Sequence, residues 1–221
     1  MNKLLKISKI NLSYNTDNNL IKVLQDVSLE VDHKDTVSIV GESGSGKTSL
    51  IMLIGGLEKA TSGKIQFKEF EISKLNEDQI SEIRRKNIGI VFQSFYLIPN
   101  YTALENVSLT LEINRISNPE QKAKDMLSRF GLGQRLNNLP SQLSGGEQQR
   151  VAIARSIVMK PQLILADEPT GNLDSENSNL ITKILFDYVN EEQASLIVAT
   201  HDDKLASQTK RKIKIKDGRI E

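Results

Sequence analysis

The chain has 221 residues, of which 38% are hydrophobic and 26% charged, so it contains enough apolar material for a packed globular core. Its 29 Lys and Arg nearly balance its 28 Asp and Glu, so we expect no nucleic-acid partner. The absence of cysteine excludes disulfides and thiolate metal sites.

The N-terminal stretch MNKLLKISKINLSYN has neither a sustained apolar run nor a small-residue cleavage site, so we expect no signal peptide. The longest apolar run, LIMLIGGL at Leu50–Leu57, is far shorter than the roughly 20 residues that span a bilayer. Work at a membrane would therefore require another chain.

Short β-branched runs in chain order predict strands. They are Leu4–Ile10, Val27–Val31, Thr36–Val40, Lys64–Phe67, Ile88–Phe92, Leu163–Asp167, Ser195–His201 and Lys212–Lys216. The runs TVSIV, LILAD and SLIVA are almost entirely apolar, which is typical of parallel strands buried on both faces.

Helical patterns fall between these strands, and the alternation predicts an α/β fold. The predicted helices are Lys47–Leu57, Glu77–Lys86, Pro119–Phe130, Glu147–Met159 and Glu176–Asn190. Strand signals vanish between about 94 and 160, which indicates a helical insert. The strand-rich start and end of the chain are expected to form a smaller antiparallel sheet beside the core.

The segment GESGSGKT matches the phosphate-binding loop pattern, and it follows an apolar strand and precedes a helix. Its glycines expose backbone N–H groups to phosphate oxygens, while Lys47 would neutralise phosphates and Thr48 would hold Mg²⁺. The alternative is a flexible loop with a chance lysine. The predicted nucleotide-binding residues here are Gly41, Ser43, Gly44, Ser45, Gly46, Lys47, Thr48 and Ser49.

Polar groups follow three other predicted strands. Asp167 would support Mg²⁺, and Glu168 could act as general base for an attacking water. His201 could hydrogen-bond a γ phosphate, and the Gln93 amide could reach a metal or a water. A solvated acidic pair and a structural histidine are the alternatives, and His33 is interpreted as structural. Tyr14 could stack on a purine.

The segment LSGGEQQR presents a serine and two glycines before a well-formed helix pattern, which suggests a second phosphate grip. Ser144, Gly145 and Gly146 would supply hydroxyl and N–H donors. The alternative is an ordinary serine N-cap, with Glu147 completing a capping box. A second grip so far from the first could hold a nucleotide bound by another copy of the chain.

The order GESGSGKT, Gln93, LSGGE, LILADE, NLDS and His201 strongly resembles the ATP-binding cassette (ABC) ATPase family over nearly the whole chain. The family usually has glutamine where Glu147 stands, and this group often has proline where Glu42 stands. The resemblance implies one domain over 1–221 with a P-loop NTPase (RecA-like) core and a mainly parallel sheet. The core and a flanking antiparallel β subdomain would comprise about 1–93 and 161–221, and an inserted α-helical subdomain about 94–160.

The resemblance also implies a head-to-tail dimer of identical chains, with ATP and Mg²⁺ held between the P-loop of one copy and the LSGGE turn of the other. Thr48, Gln93 and Asp167 would face the metal. Glu168 would be the catalytic base, His201 the switch histidine and Tyr14 the adenine-stacking residue. Asn172–Ser175 would form the loop in which Asp174 links the two sites.

The stretches IGGLEKATSGKI and ADEPTGNLD are similar to the lipoprotein-release, macrolide-export, antimicrobial-peptide-resistance and cell-division group of ABC ATPases. This similarity implies an ATP hydrolase that drives a separate membrane permease with an extracytoplasmic domain, located in the cytoplasm at the inner face of the membrane. The segment SFYLIPNY at Ser94–Tyr101 would receive a helix of that permease, or else anchor the insert.

Other functions are also compatible with such a cassette. A cell-division type would signal through its membrane partner. A soluble type would act on ribosomes or DNA, although ribosomal members usually carry two cassettes and repair members a long coiled coil. A P-loop GTPase would need an N-K-x-D motif, which the sequence lacks.

Overall fold

The computed structural model describes residues 3–16 and 19–221, so the remaining residues of the predicted domain lie outside it. The strands within this part are β1 Leu5–Thr16, β2 Asn19–Val31, β3 Thr36–Val40, β4 Ser62–Phe67, β5 Phe70–Glu71, β6 Ile88–Val91, β7 Leu163–Asp167, β8 Ser195–Ala199, β9 Arg211–Lys216 and β10 Arg219–Ile220. The helices are α1 Lys47–Ile54, α2 Glu77–Asn87, α3 Ala103–Ile113, α4 Pro119–Arg129, α5 Gly145–Ile157, α6 Ser175–Glu192 and α7 Asp203–Ser207.

A six-stranded sheet in the order β10-β9-β3-β8-β7-β6 forms the core, and all its pairs are parallel except β10 with β9. Every residue of β7 and β8 is buried. Successive residues of β7 join two different hydrophobic clusters, Leu163 and Leu165 in one and Ile164 in the other, as expected for a strand covered on both faces. The carboxyl ends of β3, β6, β7 and β8 therefore meet at one edge.

The second sheet is antiparallel, with the order β2-β1-β4-β5. It confirms the expected flanking sheet for the start of the chain, but the expectation for the end was wrong. Strand β9 pairs in parallel with β3 inside the core sheet, and β10 folds back on it. Alternation in KIKIK puts Ile215 into the core and lysines outside, which defines a half-buried strand without specifying its neighbour.

The helical insert, α3 to α5, lies between β6 and β7 and packs through the second hydrophobic cluster. The predicted helices are all present within a few residues of their expected ends. Helices α3 and α7 had not been identified from the sequence. Helix α3 begins at a capping box between Thr102 and Glu105, which was a readable signal, whereas α7 has five residues and shows no periodicity.

Among residues 3–16 and 19–221, every helix is too short or too polar to span a membrane.

Candidate nucleotide-binding site

The phosphate-binding loop connects β3 to α1, and its lysine is folded against its own backbone. Lys47 Nζ donates to Gly41 O at 2.8 Å and to Glu42 O at 2.9 Å. Gly46 caps α1 with φ of 103°, and a Cβ there would lie 2.7 Å from Leu24 Cδ2. Glycine is therefore required at this position by both the left-handed conformation and the close approach of β2.

The C-terminal hairpin braces this loop from behind. The Gly218 N–H donates to Ser45 O at 3.2 Å, and the Gly218 carbonyl accepts from Gln25 N at 2.8 Å. A Cβ on Gly41 would lie 2.2 Å from Ile215 O. The pairing of β9 with β3, which the sequence did not predict, thus holds the phosphate loop against the β2 strand.

A cavity of about 750 Å³ opens above the loop. It is lined by Val23, Glu42, Ser43, Gly44, Gly46, Lys47, Thr48, Ser49, Gln93, Glu168 and His201. Gly41 and Ser45 instead line a second cavity of about 470 Å³ beside the C-terminal hairpin. The cavity therefore collects side chains from the ends of three parallel strands together with the loop.

Thr48 and Asp167 form the oxygen-donor pair of the site. Thr48 Oγ1 donates to Asp167 Oδ1 at 3.1 Å. Burial raises the pKa of Asp167, the hydrogen bond from Thr48 partly lowers it, and the nearby charge of Glu168 raises it further. A hydroxyl and a buried carboxylate suit Mg²⁺, which usually takes one or two protein oxygens together with substrate phosphates. In the described ranges no group of three or more His, Cys, Asp or Glu could hold a metal unaided.

Glu168 follows β7 in a left-handed backbone conformation, with φ of 46°, that only a few per cent of non-glycine residues adopt. Its Oε1 lies 2.8 Å from His201 Nδ1, and its Oε2 accepts from Thr200 Oγ1 at 3.1 Å. The side chain of Glu168 is 13% exposed and that of His201 is 71% exposed. His201 therefore lies over the carboxylate, between it and solvent.

Gln93 is exposed and follows β6. Its Nε2 donates to Asn172 Oδ1 at 3.1 Å, and a Cβ on Gly171 would lie 2.9 Å from the same nitrogen. The segment that follows Glu168 is thus in direct contact with the predicted metal and water ligand.

The LSGGE turn lies outside the cavity lining. Ser144 caps α5, with its Oγ accepting from Glu147 N at 3.2 Å while Glu147 Oε2 accepts from Ser144 N at 2.8 Å. The pKa of Glu147 is lowered, first by Arg135 and then by the Ser144 N–H. The capping box proposed as the alternative is present, but it uses the serine oxygen as an acceptor and leaves its O–H able to donate.

The two glycines of the turn differ in their surroundings. A Cβ on Gly146 would lie 2.1 Å from Asn177 Oδ1, at the start of α6. A Cβ on Gly145 would meet only ordinary contacts, at 3.7 Å from Leu173 and 3.8 Å from Phe95. Gly146 is therefore fixed by its own chain as well as by any ligand.

Tyr14 also lies outside the cavity lining. It stands opposite Ile21 in the β1–β2 pair and donates its hydroxyl to Glu58, and this hydrogen bond raises its pKa to about 12. Val23 lines the cavity on this side instead. Adenine stacking by Tyr14 stays a prediction.

Four residues at the site were not identified from the sequence: Val23, Glu42, Thr200 and Gln149. Thr200 immediately precedes His201, so its place at a strand end was readable. Gln149 is 1% exposed and donates to backbone carbonyls next to Gln93 and Glu168, a contact with no local sequence signal. The place of Val23 in the cavity lining likewise has no local sequence signal.

Comparisons with known proteins agree with this geometry. Residues 24–171 match the family described as ABC transporter. The lipoprotein-releasing system ATP-binding protein LolD of Idiomarina loihiensis is 42% identical over 217 residues, covering 97% of this chain and 95% of LolD. The macrolide export ATP-binding/permease protein MacB of Campylobacter jejuni is 44% identical over 200 residues, covering 90% of this chain and 31% of MacB.

Solved structures extend the likeness to the fold. The dimeric post-hydrolysis state of the cassette MJ0796 bound to ADP and Pi superposes with a TM-score of 0.92 at 38% identity, covering 98% of this chain and 96% of that one. A further dimeric structure of MJ0796 gives 0.93 at 39% identity with the same coverage. The chain therefore belongs to the ABC transporter family, whose ATP-binding cassettes it matches along nearly its whole length.

Proposed function

We propose that this chain is the ATP-hydrolysing subunit of a transporter, that it dimerises on ATP, and that the dimer drives a separate membrane permease. One observation carries the proposal. The P-loop cavity collects Lys47, Thr48, Glu168 and His201, while the only other predicted phosphate grip, at Ser144–Gly146, lies outside it. A second copy placed head to tail would bring that turn to the open side of the cavity.

Binding of ATP would exchange hydrogen bonds that already exist. Lys47 would leave the carbonyls of Gly41 and Glu42 for the β and γ phosphates, and Ser49 would donate to the α phosphate. Thr48, Asp167 and Gln93 would hold Mg²⁺. When bound, Mg²⁺ supplies positive charge that offsets the charge developing on the transferred phosphoryl group.

Hydrolysis needs a water aligned with the γ phosphate and a base to take its proton. Glu168 is suited to be that base, because its carboxylate is largely shielded yet lines the cavity. His201 Nδ1 lies 2.8 Å from the Glu168 carboxylate, which only accepts, so a hydrogen bond from Nε2 to the γ phosphate, also an acceptor, would require a hydrogen on both ring nitrogens. Thr200 fixes the second carboxylate oxygen.

The partner copy would complete the site with the Ser144 hydroxyl and the N–H groups of Gly145 and Gly146. These groups sit at the N-terminus of the 13-residue helix α5, where the helix dipole favours an anion. Loss of the γ phosphate removes the ligand that both copies share, so the dimer opens. The helical subdomain, residues about 94–160, would carry that motion to the permease through Ser94–Tyr101.

LolD and MacB, by name, serve lipoprotein release and macrolide export. The similarity supports export or mechanical extraction of a lipoprotein, peptide or drug. We place the protein in the cytoplasm, held at the inner face of the membrane by a permease with an extracytoplasmic domain.

Replacing Glu168 by Gln tests the proposal. The variant should still bind ATP but lose about 100-fold or more in turnover, because a general base typically contributes that much. It should accumulate as a dimer in gel filtration with MgATP. Lys47→Ala, which should neither bind nor dimerise, is the control. A Glu168→Gln variant that binds ATP yet stays monomeric at every concentration would refute the scheme.

A further inference from the structure

Gln149 is an almost completely buried amide on α5, with 1% of the residue exposed. Its Nε2 donates to Pro169 O at 2.7 Å and to Phe92 O at 3.3 Å. Both partners are carbonyls, which only accept, so the amide must present its NH₂ group to them. Its Oε1 is buried and has no hydrogen-bond partner among the described residues.

The two carbonyls belong to the segments that carry the hydrolytic groups. Phe92 C=O shares its peptide plane with the N–H of Gln93, and Pro169 directly follows Glu168. The pairing of β6 with β7 ends at Val91 and Ala166, before either segment begins. Beyond that point one residue pair and one buried amide connect the two segments within the described residues: Gln93 Nε2 donates to Asn172 Oδ1, Asn172 Nδ2 donates to the Gln93 carbonyl at 3.4 Å, and Gln149 donates to both backbones.

We propose that Gln149 is a positioning residue for hydrolysis, which sets the separation between the Gln93 and Glu168 segments. The inference rests on the proposed function. Gln149 lies on α5, which Ser144 caps, so any rotation of α5 moves the amide that holds both segments. A shift of about 1 Å in catalytic geometry can cost about 100-fold in rate.

A purely structural role would have a different signature. Removing the amide leaves two buried carbonyls short of a donor, which destabilises the fold in either case. Only the positioning role predicts that turnover falls while nucleotide affinity stays, because the P-loop groups that bind ATP do not touch Gln149. The contrast between kcat and the dissociation constant therefore separates the two.

Gln149→Met tests the proposal, because methionine keeps the length and apolar stem but cannot donate. Gln193→Met is the control, since Gln193 donates its amide to the Asn190 carbonyl at 2.7 Å, at the end of α6, and within the described part of the chain has no hydrogen bond to a catalytic segment or to the LSGGE turn. We expect kcat of Gln149→Met to fall about 10- to 100-fold with the dissociation constant for a fluorescent ATP analogue within about twofold, as for a group that acts on the transition state. Gln193→Met should keep both values.

Gln149→Asn is the second variant if Gln149→Met does not fold; its shorter amide cannot reach both carbonyls, so kcat should fall in the same way. Wild-type kcat in a folded Gln149 variant would overturn the inference. Equal losses in kcat and affinity, or the same loss in Gln193→Met, would also overturn it. If the wild-type protein did not hydrolyse ATP, the proposed function would be refuted, and this inference would fall with it.

Discussion

At the level of single residues, the groups proposed to face the nucleotide are already hydrogen-bonded within the protein. Lys47 donates to loop carbonyls, Thr48 to Asp167, and His201 contacts Glu168. Each group is thereby held near its working position before ligand arrives. Binding exchanges one set of polar contacts for another, which limits the ordering cost of forming the site.

Asp167 gives a prediction about metal and pH. Its pKa is raised by burial, so the ionised carboxylate destabilises the metal-free fold. The destabilisation caused by ionised Asp167 is complete at pH values above its raised pKa. It disappears as the pH falls below 3.8, the ordinary pKa of an aspartate. Asp167→Asn should therefore melt higher than wild type in EDTA at neutral pH, and the difference should shrink in acid.

Magnesium should reverse the order of the melting temperatures of wild type and Asp167→Asn. MgATP should raise the melting temperature of the wild-type protein more than that of Asp167→Asn, since the carboxylate then has a cation to pair with. Thermal unfolding with MgATP, and with ATP in EDTA as the control, measures this. Equal shifts in melting temperature in the two proteins would show that Asp167 does not contribute to metal binding.

At the level of helices and strands, local patterns predicted what each element is but not always where it goes. Apolar strands followed by Asp167, Glu168 and His201 predicted that these residues meet, because parallel strands end at one edge. The partner of β9 was missed, since its alternating pattern fits any half-buried position. Gln149 was missed because a buried amide bound to distant backbone carbonyls leaves no trace in neighbouring residues.

The start of α5 allows a stability measurement. Glu147→Gln should keep the capping box, because glutamine also accepts from Ser144 N, but lose the ion pair with half-exposed Arg135. We expect a loss of less than about 1 kcal/mol in unfolding free energy at pH 7. The lowered pKa of Glu147 means that this difference is full above its ordinary value of 4.5 and disappears as the pH falls through the folded value.

Glu105→Gln is the matched control for urea unfolding of Glu147→Gln. Glu105 forms the same capping box with Thr102 at α3, without a basic partner in the described residues. Glu105→Gln should lose less unfolding free energy at pH 7 than Glu147→Gln. An equal loss in both variants would show that Arg135 contributes nothing.

At the level of the whole molecule, the proposed dimer divides each active site between two copies, so two defective chains should be able to repair each other. Glu168→Gln lacks the base but keeps its LSGGE turn, and Ser144→Ala has the opposite defect. A mixed dimer contains one intact site and one with both defects. Equal amounts of the two variants are mixed before MgATP is added. Half of the dimers should then contain one chain of each kind, and each of these has one working site out of two. The mixture should therefore recover about a quarter of wild-type activity.

The control replaces Ser144→Ala by the double variant Glu168→Gln/Ser144→Ala, which leaves no intact site in any pairing. That mixture should stay inactive in the same phosphate-release assay. If the first mixture were no more active than the sum of its parts, the hydrolytic site would lie within one chain.

The neighbouring glycines of the LSGGE turn are unequal as mutational probes. A methyl group on Gly146 would lie 2.1 Å from Asn177 Oδ1, so either the Asn177 side chain or α5 must move, and a dead Gly146→Ala protein would not isolate the loss of a phosphate contact. The same methyl on Gly145 meets only ordinary neighbours. The two adjacent glycines therefore differ as mutational probes. Of the two alanine variants, only Gly145→Ala tests the nucleotide contact without a clash inside the protein.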